Sequence, residues 1–314
     1  MGLSVPVHSA VVAGHPISAV VAGHPISAVV AGHPIGAGTV AAVLGAALLH
    51  AIWNSLAHGV PDRLVGFALI GAVDLVGGAA LVVLSGPPPD VAWPYLVASA
   101  VLHVVYNLLL LASYQLGEFS QMYPLARGTA PWVVALVSVG LLGRALPMTE
   151  LLGVLAVSAG LIALVLVGGW PGRKQLPALG TAVLTGLMIA GYTVVDGLGV
   201  ALAPLPAYIG WLFLLQSAPL PLLAVLRRGR ALSGAVRRCA LPGLVGGVVA
   251  LAAYSIVLWA QTSGALAPVA ALRESSIIFG ALIGTVFLGE RLGRRRAVAA
   301  AVVLAGVLLI SLGR

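Results

Sequence analysis

Long apolar stretches alternate with short polar interruptions from residue 37 to the end of the chain. Each stretch holds about 20 residues, which as a helix would cross the roughly 30 Å hydrocarbon core of a bilayer. The pattern predicts an all-α integral membrane protein with ten transmembrane helices. The predicted spans are 37–57, 64–84, 92–114, 120–142, 148–168, 176–198, 206–226, 241–262, 266–288 and 296–313.

The interruptions between the spans are short and rich in glycine, proline and arginine. Clear examples are "GVPDR" at 59–63, "SGPPPD" at 85–90, "GWPGRKQLP" at 169–177, "RRGRALSGAVRR" at 227–238 and "GERLGRRR" at 289–296. Such segments are typical of tight connections between helices. We therefore expect no soluble domain to be inserted between the spans.

Composition supports the membrane assignment. Of the 314 residues, 61% are hydrophobic and 8% are charged, whereas about a quarter of a soluble domain is charged. The net charge of +8 does not indicate a nucleic-acid partner, because the arginines lie in short loops between spans. The single cysteine, Cys239, excludes an internal disulfide and a thiolate metal cluster.

Residues 1–36 form a separate segment. Residues 10–36 are three copies of a nine-residue unit, "AVVAGHPIS" in the first two and "AVVAGHPIG" in the third. The histidines of the repeat (His15, His24 and His33) would suit a metal, since imidazole is a common ligand. Nine residues are too few for a known solenoid repeat, and each proline removes a helix hydrogen bond. We expect a low-complexity, disordered tail without an assigned function.

Positive charges are distributed unevenly between the two sets of loops. Loops that follow even-numbered spans hold Arg144, and Arg314 ends the chain. Loops that follow odd-numbered spans hold twelve basic residues. These are Arg63, Arg173, Lys174, Arg227, Arg228, Arg230, Arg237, Arg238, Arg291, Arg294, Arg295 and Arg296. Because positive charge marks the cytoplasmic side, this bias places both termini outside.

The two halves of the chain, 37–168 and 176–313, resemble each other. Aligning Arg127 with Arg273 brings "YPLARGTAP" onto "AALRESSII" and places Tyr106 near Tyr254. Each half has five spans, so equivalent helices run in opposite directions. The sequence thus predicts two inverted five-helix repeats, which in membranes usually form a secondary transporter with a binding site near the midplane.

Four motifs give the chain a resemblance to a known family. They are "LLHAIWNSLAHG" (48–59), "YPLARGTAPW" (123–132), "GYTVVDGLG" (191–199) and "ALRESSIIFGALIGTVFLGERL" (271–292). Over about residues 40–313 the chain resembles the drug/metabolite transporter superfamily, in the branch with two EamA-type domains. The resemblance implies a ten-helix basket with a central cavity that moves small metabolites, often outward. Members of this family usually keep both termini in the cytoplasm, which disagrees with the loop charges.

Polar and aromatic side chains within the spans are the candidate substrate-binding residues. Several share a helix face, because they are spaced by three or four residues. For the span 1 residues an equally open alternative is that they form hydrogen bonds between helices. For the arginines the alternative is that they reach the membrane interface, and their matching positions in the two halves favour the cavity. The candidates are His50, Trp53, Asn54, His103, Tyr106, Asn107, Arg127, Tyr192, Tyr254, Arg273 and Glu274.

Three acids lie within the spans. Glu274 is predicted to pair with Arg127 across the two halves, which would make it a poor proton carrier. Asp74 is mid-span with no cation nearby in sequence and is the better candidate for proton coupling, with Asp196 as a second. Asp196 is close to the predicted end of its span, where we expect water to reach it. No metal-ligand spacing or cofactor motif is recognised.

The sequence therefore favours a multi-pass transporter of the cell membrane, most simply an exporter that uses alternating access. Its partners would be the lipid bilayer, a small-molecule substrate and a coupling proton. Two cavity arginines would favour a carboxylate or phosphate group. An integral-membrane enzyme and a non-transporting scaffold remain the alternatives, and a homodimer is left open.

Overall fold

The computed structural model describes residues 35–116, 119–143, 146–166, 175–287 and 294–312. Nearly all of these residues are helical, and no strand occurs among them. The nonapeptide repeat with His15, His24 and His33, and with it the predicted disordered tail, lies outside the described residues, so those expectations stay predictions.

Twelve α-helices are described, together with two 3₁₀ turns at Asp90–Ala92 and Gly229–Ala231. The first five are α1 (Ala37–Gly59), α2 (Arg63–Ser85), α3 (Trp93–Leu116), α4 (Phe119–Gly140) and α5 (Met148–Leu166). The next four are α6 (Leu176–Gly199), α7 (Leu205–Ser217), α8 (Pro219–Arg228) and α9 (Leu232–Gln261). The last three are α10 (Leu266–Arg273), α11 (Ser276–Phe287) and α12 (Arg294–Leu312).

Five described segments are long and apolar enough to cross a membrane. They are Ala37–Ala57, Arg63–Ser85, Asp90–Ser113, Leu176–Gly199 and Leu205–Gln261. Three shorter apolar helices are Leu125–Gly140, Met148–Ala163 and Val298–Ile310. Many large apolar side chains on these helices are exposed, as a protein surrounded by lipid requires. The chain is an all-α integral membrane protein, and the ten-span inverted repeat remains a prediction.

Predicted span 7 is not one continuous helix. It is divided into α7 and α8, with Ala218 between them. Pro219 and Pro221 lack the backbone N–H that would continue the hydrogen-bond ladder, so the helix is interrupted where they occur. The "SAPLP" sequence at 217–221 carries this signal.

The arginine-rich loop predicted at 227–238 is largely helical. The 3₁₀ turn is followed at once by α9, which begins at Leu232, nine residues before the predicted start of span 8. Arginine has a good helix propensity, so a basic helix end that projects beyond the membrane has the same composition as a loop.

Predicted span 9 is also interrupted. Helix α10 ends at Arg273 and α11 begins at Ser276, and Glu274 and Ser275 form a turn between them. Some backbone hydrogen bonds there span three residues instead of the four of an α-helix, including one from the Ile277 N–H to the Glu274 carbonyl at 3.2 Å. Arg273 is therefore the last residue of α10 and does not lie inside one long helix, as the predicted span 266–288 implied.

The main helix contacts join the two halves of the chain. The most extensive contacts join α5 to α12, α3 to α6, α2 to α7 and to α9, α4 to α6, and α1 to α9. Glycine allows the closest approach in the α5–α12 pair. A Cβ on Gly153 would lie 2.7 Å from the carbonyl oxygen of Gly306, too close for any side chain. Such small-residue contacts are a common means of packing membrane helices.

Candidate functional site

A pocket with polar and aromatic residues in its lining lies between helices of the two halves, with a cavity volume of about 80 Å³, enough for several water molecules or a small solute. The first half contributes residues of α1, α2 and α3, namely His50, Trp53, Phe67, Ile70, Gly71, Asp74, His103, Tyr106 and Asn107. The second half contributes residues of α6 to α9, namely Tyr192, Phe213, Gln216, Ser217, Leu220, Ala250 and Tyr254.

The lining contains most of the residues that the sequence indicated. It includes seven of the candidate binding residues and also Asp74. These seven are His50, Trp53, His103, Tyr106, Asn107, Tyr192 and Tyr254. The remaining candidates lie outside the lining of this pocket, namely Asn54, Arg127, Arg273, Glu274 and Asp196. Sequence reasoning missed Gln216 and Ser217, although the "SAPLP" helix break beside them was a usable signal.

Two histidine–asparagine pairs on α1 and α3 share one local geometry. His50 Nδ1 lies 3.1 Å from the Ala46 carbonyl oxygen, and Asn54 donates to the His50 carbonyl at 2.8 Å. His103 Nδ1 likewise lies 3.0 Å from the Ser99 carbonyl oxygen, and Asn107 donates to the His103 carbonyl at 2.9 Å. These bonds stay within one helix and fix each imidazole. Asn54 uses one of its amide N–H groups in this local bond.

Aromatic rings form one side of the pocket. The rings of His103 and Tyr192 are stacked, with centroids 3.8 Å apart and an interplanar angle of 21°. Tyr106 and Tyr254 each present an edge to Tyr192, with centroids at 5.6 and 5.9 Å. Such edge-on contacts are the favoured geometry of aromatic pairs. The cluster joins α3, α6 and α9 and gives the pocket a rigid aromatic wall.

Behind this wall, two arginines converge on one glutamate. Arg127 Nη1 and Arg273 Nε each lie 3.4 Å from Glu274 Oε1, and all three side chains are buried. The pairing of Glu274 with Arg127 is thus present in the structure. Burial of such a group is tolerated because opposite charges meet. Gly186 of α6 lets α4 approach closely here, since a Cβ on it would lie 2.5 Å from the Ala126 carbonyl oxygen.

Tyr192 separates the charged cluster from the pocket. The Arg273 guanidinium carbon lies 5.8 Å from the centre of the Tyr192 ring, and the same ring lines the pocket. Arg273 Nη1 and Nη2 have no hydrogen-bond partner among the described residues. The expectation that both guanidinium groups project into the cavity is not met for this pocket. A substrate role for Arg127 and Arg273 stays a prediction.

Asp196 is fully buried and hydrogen-bonded, so the expectation that water reaches it is wrong. The Tyr208 hydroxyl donates to its Oδ1 at 2.9 Å, and the Tyr254 hydroxyl donates to its Oδ2. Tyr208 lies on the next helix, α7, which folds back over the end of α6 and covers the carboxylate. A sequence position near a helix end therefore did not indicate exposure.

Asp74 has a different environment. It is 9% exposed and lines the pocket, and its Oδ1 has no hydrogen-bond partner among the described residues. The Gln216 side-chain oxygen, also buried and in the lining, likewise has none. Asp74 is thus the acid that faces the pocket, whereas Asp196 is held by two hydroxyl donors.

An ion pair joins the two halves outside the pocket. Arg228, at the end of α8, donates to both oxygens of Asp62 at 2.7 and 2.9 Å. These hydrogen bonds lower the pKa of the Asp62 carboxyl below its usual 3.8. Asp62 also caps α2 by accepting from the Val65 N–H at 3.3 Å. The bidentate geometry makes this contact more specific than a typical surface pair.

No group of three or more histidine, cysteine, aspartate or glutamate side chains able to hold a metal occurs within the described ranges. For the histidines of the nonapeptide repeat the metal question stays open, since they lie outside those ranges.

Comparison with known proteins gives the site its context. A solved structure described as "Crystal structure of protein" is similar in fold, with a TM-score of 0.69 and 19% sequence identity, over 87% of this chain and 95% of that chain. None of the curated proteins compared with the chain matches it. Residues 176–312 match the model of the EamA-like transporter family. This match supports the assignment of the chain to the drug/metabolite transporter superfamily as an EamA-type membrane transporter.

Proposed function

We propose that the chain is a secondary transporter that moves a small metabolite out of the cell through a pocket between two inverted five-helix halves. The observation that carries this proposal is the pocket itself. Its lining comes from α1–α3 and from α6–α9, so a relative movement of the halves would change access to it. The family match to a transporter rather than an enzyme supports the same conclusion.

The packing of the helices supports an inverted repeat. If each span is exchanged with the span five places further along, the α3–α6 pair becomes the α9–α1 pair. The α4–α6 pair becomes the contact of α10 and α11 with α1, and the α5–α12 and α2–α7 pairs map onto themselves. A pseudo-twofold axis in the membrane plane would produce this pattern, and transporters commonly bind substrate at such an axis.

Interrupted helices support a transport role as well. The breaks at Ala218 and at Glu274–Ser275 lie within the apolar part of the chain. Backbone groups that leave the regular helix hydrogen-bond ladder at membrane depth are tolerated where they are buried in protein or line a cavity. The first break contributes Gln216, Ser217 and Leu220 to the pocket lining, as discontinuous helices do in many transporters.

The candidate residues divide into two roles under this proposal. Those in the pocket lining bind substrate, with the stacked pair His103 and Tyr192 as a flat recognition surface. The Arg127–Glu274–Arg273 cluster instead holds the break of span 9 against α4. The arginines then contribute to transport through position, and a preference for anionic substrates no longer follows from them.

Two contacts would limit access at opposite ends of the antiparallel α2 and α7–α8 helices. Near the start of α2, Arg228 pairs with Asp62. Beyond the end of α2, the Trp211 indole N–H donates to the Gly86 carbonyl at 3.1 Å, and Trp211 packs edge-on against Trp93. Alternating access would break one contact and keep the other. Asp74, in the same helix, is our candidate for proton coupling.

The direct test is an untargeted comparison of metabolites inside and outside cells that lack the protein and cells that overproduce it. We expect one class of compound to accumulate outside in proportion to the protein. Accumulation inside would reverse the direction, and unchanged metabolite levels on both sides would favour a scaffold. Fractionation of the same cells checks the cell-membrane location.

A further inference from the structure

The wall of the pocket between α2 and α7 has unused hydrogen-bond acceptors. Asp74 and Gln216 line the pocket, and their Oδ1 and Oε1 atoms are buried without a donor among the described residues. A buried acceptor without a partner is costly. Pro221 lacks the N–H that a continuous helix would give to the Ser217 carbonyl, so this third oxygen also loses its usual donor.

The packing of α2 against α7 places these oxygens on the same wall. A Cβ on Gly71 would lie 3.0 Å from the Ser217 carbonyl oxygen, so this carbonyl faces α2. A Cβ on Gly78 would lie 2.9 Å from the Gly210 carbonyl oxygen. Asp74 lies between Gly71 and Gly78 on one helix face. Its side chain therefore emerges between two close contacts with α7, beside Gln216 and Ser217.

We propose that this wall binds a primary ammonium group of the transported solute. An ammonium group has three N–H donors, and the wall offers three oxygens, from Asp74, Gln216 and Ser217. The Asp74 carboxylate would gain the cation that burial of a charge requires. This inference rests on the proposed function for the pocket's role, but binding can be measured without transport.

The rest of the lining favours an organic cation. The described lining holds one carboxylate and no arginine or lysine, so an anion would meet Asp74 without a compensating charge. A sodium ion needs more oxygen ligands than this wall presents. The rings of Trp53, Phe67 and Phe213 instead offer apolar surface for a carbon skeleton and π faces for a cation. The occupant expected is a small amine with an apolar or aromatic body.

The test is calorimetric titration of the purified full-length chain with benzylammonium chloride, with benzyl alcohol and sodium benzoate as probes of similar shape. We expect saturable binding of benzylammonium and at least about tenfold weaker binding of the other two, since hydrogen bonds to charged groups discriminate by that order. Asp74→Asn should weaken benzylammonium binding by at least about tenfold, and Asp74→Glu should retain more of it.

Matched variants separate the site from general effects. Asp90→Asn removes an exposed acid outside the pocket and should bind as the wild type does, whereas Gln216→Leu should bind several-fold more weakly. Equal benzylammonium binding by wild type, Asp74→Asn and Gln216→Leu would overturn the proposal. The proposal would also be overturned if calorimetry showed that sodium chloride binds in a manner that requires Asp74 and that benzylammonium does not bind. Specific binding of benzylammonium without any transport in cells would contradict the proposed function but would still support the ammonium site.

Discussion

Arg127 on α4 meets Glu274 at the break of span 9, with 3.4 Å between Nη1 and Oε1, and both side chains are buried. Arg273 approaches the same oxygen, so one carboxylate is shared by two guanidinium groups. The cluster links residues 147 positions apart in sequence. Among the described residues, the Arg127–Glu274 contact is an ion pair between the two halves of the chain in which both side chains are buried.

Glu274→Gln should destabilise the protein, because it removes the buried carboxylate that both guanidinium groups approach. Removing one partner of a buried ion pair typically costs about 3–5 kcal/mol. Thermal or denaturant unfolding of the purified protein measures the change. Combining Glu274→Gln with Arg127→Gln should cost less than the sum of the single changes, and strict additivity would show that the pair does not interact.

Asp62→Asn should lower stability above about pH 4 and make little difference in strong acid. The folded pKa of Asp62 lies below 3.8 because Arg228 donates to its carboxylate. The contribution of the Asp62 carboxylate to folding stability is therefore fully present above its pKa in the unfolded state. It is lost as the pH falls through its pKa in the folded state. Melting curves of wild type and variant, recorded from pH 7 downward, provide the test. A difference that grows as the pH falls would contradict the assignment, and high salt should shrink the difference because the pair is partly exposed.

The two ends of α9 report the absolute topology. Ser233 and Thr262 are exposed at opposite ends of this helix, and Cys239 is the native cysteine to be removed first by Cys239→Ser. The loop charges predict that a cysteine at 233 is cytoplasmic and one at 262 is external. Labelling of intact cells with an impermeant maleimide should therefore modify Thr262→Cys and spare Ser233→Cys. The opposite pattern would support the topology usual for the family.

Tyr192→Ala should connect the pocket to the Arg273 guanidinium, because the Tyr192 ring lies between them. We expect the variant to bind benzoate at least several-fold more tightly than the wild type does, as measured by calorimetry. Tyr192→Phe keeps the ring and should leave benzoate binding unchanged. If the alanine variant gains no affinity for benzoate, the ring is not the barrier between pocket and guanidinium.

The sequence predicted much of the helical fold, and the reasons are physical. Membrane helices must be long and apolar, so their approximate positions are visible in hydropathy alone. The breaks in spans 7 and 9 were missed, because an apolar stretch looks alike whether or not it is continuous. Pro219 and Pro221 carried a signal for the first break, whereas "RESS" at 273–276 gave no comparable one.

The candidate site was predicted in part. His103, Tyr106 and Tyr254 could be recognised as polar or aromatic groups within apolar helices, and they do line the pocket. Whether each candidate side chain lies in the pocket or behind its aromatic wall depends on packing between helices that are distant in sequence. The Tyr192 ring that separates Arg273 from the pocket, and the Tyr208 hydroxyl that covers Asp196, could not be read from spacing within one helix.

The central claim is that a solute passes through the pocket between the halves. Ala250 lines that pocket, and Ala252 lies two residues further on an exposed face of the same helix. The most direct measurement is uptake of the isotope-labelled compound identified in cells into inside-out membrane vesicles that contain wild type, Ala250→Trp or Ala252→Trp. The account predicts that Ala250→Trp abolishes uptake while Ala252→Trp and wild type behave alike. Undiminished uptake by a folded Ala250→Trp variant would contradict it.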